Sequence, residues 1–163
     1  MMTPPEESTR LGPVQAVRRA LLAGGVADTV AVFDRPLPTA AAAAHELGCE
    51  RGAIANSLVF SVAGEALLIV ASGAARVDLD LVARTLEISR IERADAGFVH
   101  EHTGQRVGGV APVGHPVPLR TVLDVSLREF PQLWAGAGAE EAMFSIGFDE
   151  LRRLTSATVM EVR

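Results

Sequence analysis

The sequence predicts an α+β fold with a mostly antiparallel sheet. Helix and strand patterns follow each other in mixed order instead of alternating strictly, and hairpins join many of the strands. The chain has 163 residues, which is the expected length of a single domain. Nearly half of the residues are apolar and only 4% are aromatic, so aliphatic side chains must fill most of the core.

The first half of the chain is predicted to contain two helices and three strands. Pro13 suits the first turn of a helix. Thr39 can cap a second helix, which Gly48 closes. Residues 63–65 form the turn of the clearest hairpin. The predicted elements are a helix over 13–23, a strand over 30–33, a helix over 39–47, and strands over 54–62 and 66–71.

The second half is predicted to contain three helices and five strands around a loop rich in Gly and Pro. Asp78 and Asp149 are each predicted to cap the start of a helix, and Gly104 is predicted to end a third helix that lies between these two in the chain. The predicted elements are a helix over 78–86, a strand over 88–91, a helix over 94–102, the loop over 107–118, a strand over 119–125, a hairpin of 133–135 and 142–146, a helix over 149–154 and a strand over 158–162.

The N-terminal residues 1–12 are rich in Pro, Glu and Ser and are predicted to form a flexible tail, which leaves 13–163 as the domain. They lack the positive and apolar regions of a secretion signal. No apolar stretch is long enough to cross a bilayer. We therefore expect a cytoplasmic protein without a membrane partner.

Charge and cysteine content exclude several kinds of chemistry. The net charge is −5, which argues against broad, charge-driven binding of DNA or RNA but allows a local basic face. Every positive side chain is Arg, so Lys catalysis is excluded. Cys49 is the only cysteine, which excludes an intrachain disulfide and a Cys-rich zinc module; we expect it to be a buried, inert thiol.

The loop from Gly108 to Pro116 is the most unusual segment, with three Gly and two Pro in nine residues. Gly allows the backbone to approach a ligand and present N–H groups, and Pro keeps those groups in place. Such donors aimed at an ester carbonyl would form an oxyanion hole. A tight surface connection is the alternative. The spacing matches neither a Walker loop nor a dinucleotide-binding fingerprint.

Three other residues leave alternatives open. His115, in the stiff loop, could cap, bind substrate or position a water molecule. Asn56 interrupts an apolar strand, so it is either a structural bridge or a ligand contact, and alternation places Ser57 on the opposite face. Asp124 is either structural or pocket-lining. No serine elbow or Cys–His pair is recognisable, so the sequence shows no nucleophile motif. His100 and His102 lack a third metal ligand, so we expect no metal.

Four segments resemble, in order and spacing, YbaK-type aminoacyl-tRNA editing proteins, which are related to the editing insertion of bacterial prolyl-tRNA synthetases. They are the loop 108–115 (GG-x-x-P-x-G), the strand 54–60, the segment 72–78 (S-G-x-x-R-x-D) and the hairpin 133–138 with 142–144. The match runs from about Pro13 to Val162. The resemblance implies a barrel-like, mainly antiparallel mixed sheet flanked by helices.

The resemblance also implies an activity, which is hydrolysis of the ester that joins a wrong amino acid to tRNA. Water attacks with help from the ribose 2′-hydroxyl, and neither a metal nor another cofactor takes part. The implied partners are the acceptor end of tRNA and, in addition, an aminoacyl-tRNA synthetase, with no DNA and no membrane. The implied catalytic residues are Gly108, Gly109 and Asn56. The implied substrate-binding residues are Phe33, Ser57, Ser72, Gly73, Val110, Ala111, Pro112, Gly114, His115 and Gly136.

Two positions depart from the family pattern, because Asn56 replaces a pocket Lys and Phe33 replaces a common Tyr. Asn can donate a hydrogen bond but carries no charge and reaches less far. The departures leave three functions open. The protein is a trans-editing deacylase, a catalytically silent module that binds an aminoacyl group or a partner, or an unrelated small-molecule hydrolase on the same scaffold.

Overall fold

One mixed sheet organises residues 4–163, the part of the chain that the structure, a computed structural model, describes. Its strands are β1 (Ala31–Val32), β2 (Ile54–Val62), β3 (Glu65–Ser72), β4 (Glu92–Arg93), β5 (Arg120–Asp124), β6 (Leu133–Gly136), β7 (Ala142–Ile146) and β8 (Thr158–Met160). The α-helices are α1 (Pro4–Ala23), α2 (Ala40–Leu47), α3 (Leu79–Leu86), α4 (Ala96–Thr103) and α5 (Phe148–Thr155).

The strand order is β1-β7-β6-β2-β3-β5-β8, and β4 pairs with the far end of β2. The antiparallel pairs are β1–β7, β6–β7, β2–β3 and β2–β4, and the parallel pairs are β2–β6, β3–β5 and β5–β8. The predicted α+β class and mainly antiparallel mixed sheet are therefore confirmed. The sheet is open, with β1 and β8 at its two ends.

The hairpin β2–β3 is the longest pairing, with eight residue pairs in register. Its turn is Ala63-Gly64, and both residues have positive φ, at 50° and 84°. A two-residue turn with two positive φ angles matches the right-handed twist of the flanking strands, which is why a Gly is needed there. The predicted hairpin is confirmed, with β3 starting at Glu65.

Side-chain caps set the starts of three helices. Thr39, Asp78 and Asp95 each accept a hydrogen bond from a backbone N–H in the first turn of α2, α3 and α4. The caps predicted at Thr39 and Asp78 are therefore confirmed. The cap predicted at Asp149 is wrong, because α5 begins after Gly147; Asp149 lies in the first turn, where its charge complements the helix dipole.

Two other elements differ from the prediction. Helix α1 begins at Pro4 and continues through Pro13, so the backbone of residues 4–12 is helical, although the sequence predicted a tail; residues 1–3 of that tail lie outside the described part. A proline inside a helix removes one hydrogen bond and crowds the carbonyl four residues earlier, and α1 nevertheless continues through Pro13. The strand predicted at 88–91 occurs instead at Glu92–Arg93, because these are the residues that pair with Ser61 and Phe60 of β2; Ile91 is buried in the apolar cluster beneath α3.

Apolar clusters cover both faces of the sheet because β3 alternates its buried side chains. Leu68 and Val70 join the larger cluster with α1 and α5, and Leu67 and Ile69 join the cluster covered by α3. A third cluster forms where α2 packs on β2 and β7. The sheet is thus held on both faces, and its one irregularity lies along an edge of β2.

Candidate functional site

A cleft of about 800 Å³ opens where β2 and β6 separate. Strand β6 pairs with β2 only at Ile54 and Ala55, and β4 pairs only at Phe60 and Ser61. Residues 56–59 between these pairings keep β3 on one side and line the cleft on the other. The cleft is therefore a gap in the sheet, and it exposes part of a strand edge.

Ser57 is the polar residue at the centre of this edge. The N–H of Gly73 donates to the carbonyl of Ile54 at 2.8 Å. Since hydrogen-bonding direction alternates in an antiparallel pair, the main-chain groups of Ser57 point away from β3. Pairing with β6 has already ended at Ala55. The Ser57 Oγ is also buried and has no hydrogen-bond partner within the described residues. A ligand in the cleft would meet all three groups.

Two main-chain donors that are free within the described residues, the N–H groups of Gly108 and Val110, lie across the cleft in the loop after α4, and they alternate with two N–H groups that are already paired. The N–H of Gly109 donates to the carbonyl of Arg106 (3.1 Å), and the N–H of Ala111 donates to Oε1 of Gln105 (2.7 Å). The N–H groups of Gly108 and Val110 have no acceptor in the described part of the chain, and both residues line the cleft. These two N–H groups are available to a ligand.

Close packing against the β6–β7 turn explains the glycines of this loop. A Cβ on Gly109 would lie 2.6 Å from the carbonyl carbon of Ala139, and one on Gly136 would lie 2.8 Å from the oxygen of Val110. Gly108 has a φ of +95°, which a side chain rarely adopts. The N–H of Gly138 donates to the oxygen of Gly109 at 2.8 Å. Loop and turn are therefore closely packed and joined by a main-chain hydrogen bond.

Gln105 fixes the loop from within and was missed by the sequence analysis. Its side chain is only 1% exposed. Its Oε1 accepts from the N–H of Ala111, and its Nε2 donates to the oxygen of Val113 at 3.3 Å. Its own N–H donates to Oγ1 of Thr103. A Gln that follows a helix-ending glycine is normally interpreted as solvent-exposed. No local signal in the sequence therefore identifies Gln105 as the residue that hydrogen-bonds the loop backbone from within.

Helix α1 supports both walls of the site from behind. A Cβ on Gly114 would lie 3.0 Å from the backbone nitrogen of Val17, and one on Gly138 would lie 2.9 Å from the backbone of Pro13. Val17 itself is fully buried in the larger cluster. The loop and the β6–β7 turn thus rest on the same helix.

Of the predicted site residues, six line the cleft: Asn56, Ser57, Gly73, Gly108, Val110 and Gly136. The structure places the others away from the cleft wall: Phe33, Ser72, Gly109, Ala111, Pro112, Gly114 and His115. Asn56 is exposed, and its side chain makes no hydrogen bond within the described residues, so it is free to contact a ligand and is no structural bridge. Gly73 is required for packing, since a Cβ would lie 2.6 Å from the carbonyl oxygen of Arg51.

Several residues away from the wall have structural contacts. Ser72 donates from Oγ to the carbonyl of Gly52 and from its N–H to Asp124. Asp124 is buried and also accepts from the N–H and Oγ of Ser126, so of its two alternatives the structural one holds. Phe33 packs against the third cluster, beside Leu37.

His115 braces the loop on the side away from the cleft. Its Nε2 lies 2.8 Å from the carbonyl oxygen of Ala111. Burial lowers the pKa of His115, and the hydrogen bond to this carbonyl raises the pKa in part. The imidazole is therefore neutral near pH 7 and donates from Nε2 to the loop backbone.

Within residues 4–163, no group of three His, Cys, Asp or Glu side chains is placed to hold a metal ion. No helix in the same range is long and apolar enough to span a bilayer. The fold is an α+β domain with a large cleft, which is lined by main-chain donors of a Gly-rich loop together with apolar and charged side chains.

Comparison with known proteins identifies the family. The model of the aminoacyl-tRNA editing domain matches residues 34–154. An uncharacterized protein of Bacillus subtilis, YwhH, is 30% identical over 131 residues, covering 80% of this chain and 83% of that protein. A proline–tRNA ligase of Lysinibacillus sphaericus is 30% identical over 87 residues, which are 53% of this chain and 15% of that enzyme.

A solved structure agrees with these matches over the whole fold. It belongs to a proposed trans-editing enzyme for prolyl-tRNA synthetase, is 34% identical and covers 100% of this chain and 99% of that chain, with a TM-score of 0.87. The chain belongs to the aminoacyl-tRNA editing domain family. The family resemblance noted in the sequence is thereby confirmed.

Proposed function

We propose that this protein is a trans-editing deacylase, which hydrolyses the ester between a wrongly attached amino acid and the terminal ribose of a tRNA. The observation that carries the proposal is the pair of unpaired N–H groups of Gly108 and Val110, which line the same cleft as the free polar groups of Ser57. Membership of the editing family supports the substrate class.

In the proposed reaction, the ester carbonyl oxygen lies against the N–H groups of Gly108 and Val110. Water adds to the carbonyl carbon, and the negative charge that develops on the oxygen is stabilised by these fixed donors. The bond from the carbonyl carbon to the ribose oxygen then breaks, and the ribose oxygen leaves with a proton. The ribose 2′-hydroxyl relays the proton from the water, as the family resemblance implies.

The remaining residues of the cleft position the substrate. Asn56 can donate from its amide to the ribose, in place of the family Lys. Ser57 offers a hydroxyl to the aminoacyl group. Neither residue is a nucleophile with a neighbouring base, so the proposed mechanism contains no covalent enzyme intermediate.

Gly108→Ala tests the oxyanion donors in a single-turnover assay with a panel of mischarged tRNAs. A side chain at a φ of +95° would turn the neighbouring N–H groups, and losing one such donor typically costs on the order of a hundredfold or more in rate. Gly25→Ala controls for backbone strain alone, since Gly25 also has positive φ (+76°) but no atom near its Cβ position, whereas a Cβ on Gly108 would lie 2.5 Å from Oε1 of Glu140. Full activity in a folded Gly108→Ala protein would disprove the mechanism.

A catalytically silent binding module is the second candidate, and Asn56 favours it because the cleft lacks the family's Lys. Asn56→Lys separates the two candidates. An active natural protein keeps or raises its deacylation rate in this variant. If only the variant deacylates and the natural protein binds without turnover, the silent module is the better description.

A further inference from the structure

The cleft is locally positive although the chain is acidic. The charged residues that line it are Arg51, Arg76, Arg93 and Glu140, a net charge of +2. The whole chain has 15 Arg and 20 acidic residues, so the remaining 12 Arg and 19 acids leave −7 elsewhere. A positive cleft on a negative protein attracts anions to one place.

The three arginines of the cleft have no acidic partner within the described residues. By contrast, Arg18, Arg35 and Arg90 are paired with Asp28, Glu46 and Glu92. An unpaired guanidinium keeps its donors for an external anion. Other arginines outside the cleft, such as Arg84, also have no ion pair in the described part of the chain, so what distinguishes these three is that they line the cleft with no ion pair there to neutralise their charge.

Each arginine reaches the cleft from a different element. Arg51 precedes β2, and its Nε donates to the carbonyl of Gly73 at 2.8 Å, which holds the side chain beside the cleft and leaves its two other nitrogens free. Arg93 lies in β4, opposite Phe60 at the other end of β2. Arg76 lies in the segment between β3 and α3.

Arg76 lines the cleft together with Asn56, and the chain segment that carries Arg76 lies over the same face of the sheet. Asn56 pairs directly with Ala71, and directly opposed residues share a face. Ala71 belongs to the cluster that α3 and Val77 cover, and Val77 follows Arg76 in the chain. Arg76 thus supplies a positive charge to the cleft, which the uncharged side chain of Asn56 does not.

We propose that Arg51, Arg76 and Arg93 form a phosphate-binding rim that holds phosphodiesters of the RNA 3′ end. Guanidinium groups suit this role because their planar donors bind phosphate oxygens in pairs. The inference rests on the proposed function, since it assumes that the ribose ester lies in the cleft.

The test measures binding of an uncharged RNA minihelix with a 3′-CCA end at several salt concentrations. Three phosphate contacts on single-stranded RNA predict a slope of log K against log salt of about −2, and each arginine replaced by Gln makes it shallower by about 0.7. Loss of one charged hydrogen bond weakens binding roughly tenfold at low salt. Arg84→Gln, an exposed arginine of α3 outside the cleft, is the matched control and leaves slope and affinity unchanged.

Arg76→Lys keeps the charge and retains the slope, which separates a charge contact from a packing effect. Unchanged slopes in all three Gln variants, equal changes in Arg84→Gln, or no binding of the minihelix by the natural protein would overturn the rim. Deacylation of mischarged tRNA is measured in parallel. If every variant still hydrolyses mischarged tRNA and the salt slopes of minihelix binding are unchanged, the rim alone is overturned. If binding depends on the arginines but no hydrolysis occurs, the proposed function alone is overturned.

Discussion

The two edges of β2 serve different purposes. On one edge, eight consecutive residue pairs join β2 to β3, and buried side chains cover both faces of β3. On the other edge, β6 and β4 pair with two residues each and leave the middle of the strand to the cleft. A closed edge can supply the stability that allows the opposite edge to keep unpaired polar groups.

The largest expected effect is on stability, from a change on the closed edge. Leu68 of β3 is fully buried and lies opposite Val59. Leu68→Ala should lower the free energy of unfolding by about 2–5 kcal/mol, because it removes buried surface and leaves a cavity. Denaturant unfolding measures this loss. Leu22→Ala, at a leucine that is 61% exposed, should change stability by no more than about 0.5 kcal/mol. Equal effects of the two changes would contradict the contrast.

Gln105→Leu should weaken both stability and activity. The variant removes the partners of the Ala111 N–H and the Val113 carbonyl, and each unsatisfied buried group costs about 1–3 kcal/mol. The freed loop should then misplace the donors of Gly108 and Val110 and lower the deacylation rate. Gln132→Leu, at an exposed glutamine, is the control.

Gln105→Glu separates positioning from simple stability. Its ionised form keeps an oxygen for the Ala111 N–H, loses the donor to Val113 and buries an unpaired charge, so its stability has to be measured together with its rate. We expect an intermediate rate at constant KM. A Gln105→Leu protein that is destabilised yet hydrolyses at the full rate, measured where it is fully folded, would reduce Gln105 to a structural role.

Ser57→Ala should have opposite effects on stability and activity. Its buried hydroxyl has no partner, so removing it should leave stability unchanged or raise it by up to about 1 kcal/mol. Loss of a substrate hydrogen bond should lower kcat/KM roughly tenfold. Ser61→Ala, in the same strand and outside the cleft, should change neither quantity. A destabilised and fully active Ser57→Ala protein would mean that the hydroxyl serves the fold.

The smallest expected effect is on the pH dependence of stability. It comes from His115, which hydrogen-bonds the loop backbone on the side away from the cleft. The folded-state pKa of His115 is lowered by burial below its usual 6.5, so the unfolded chain binds the proton more readily. The contribution of neutral His115 is therefore fully present above pH 6.5 and is lost as the pH falls below that value. Unfolding measured from pH 8 to pH 5 should show a decline that His115→Gln reduces. His100→Gln, at an exposed histidine, should leave the decline unchanged.

Local signals predicted the closed edge of β2 well. The turn at Ala63-Gly64 and the caps at Thr39 and Asp78 depend on residues within a few positions of each other, so the sequence displays them directly. Alternation also placed Asn56 and Ser57 on opposite faces. Helix α1 was placed too late in the chain because Pro13 carries a start signal that the rest of the helix overrides.

The open edge could not be predicted in the same way. Ser57 is free because β6 stops pairing at Ala135, about eighty residues away in the chain, and no feature of Ser57 itself encodes this. Likewise, Gly108 and Gly109 are equivalent in sequence, but only the N–H of Gly109 reaches the carbonyl of Arg106. Gln105 becomes a clamp only because the loop folds back over it.

The position of helix α1 bears on where this protein can be divided. Residues 34–154 match the family, yet two glycines that lie behind the cleft, Gly114 in the loop and Gly138 in the β6–β7 turn, abut Val17 and Pro13 of α1. The stretch by which relatives are recognised is therefore shorter than the stretch needed to hold the walls in place. A fragment cut at the family boundaries would retain the residues that line the cleft and lose the helix against which the loop and the turn pack, so a shortened protein should keep α1.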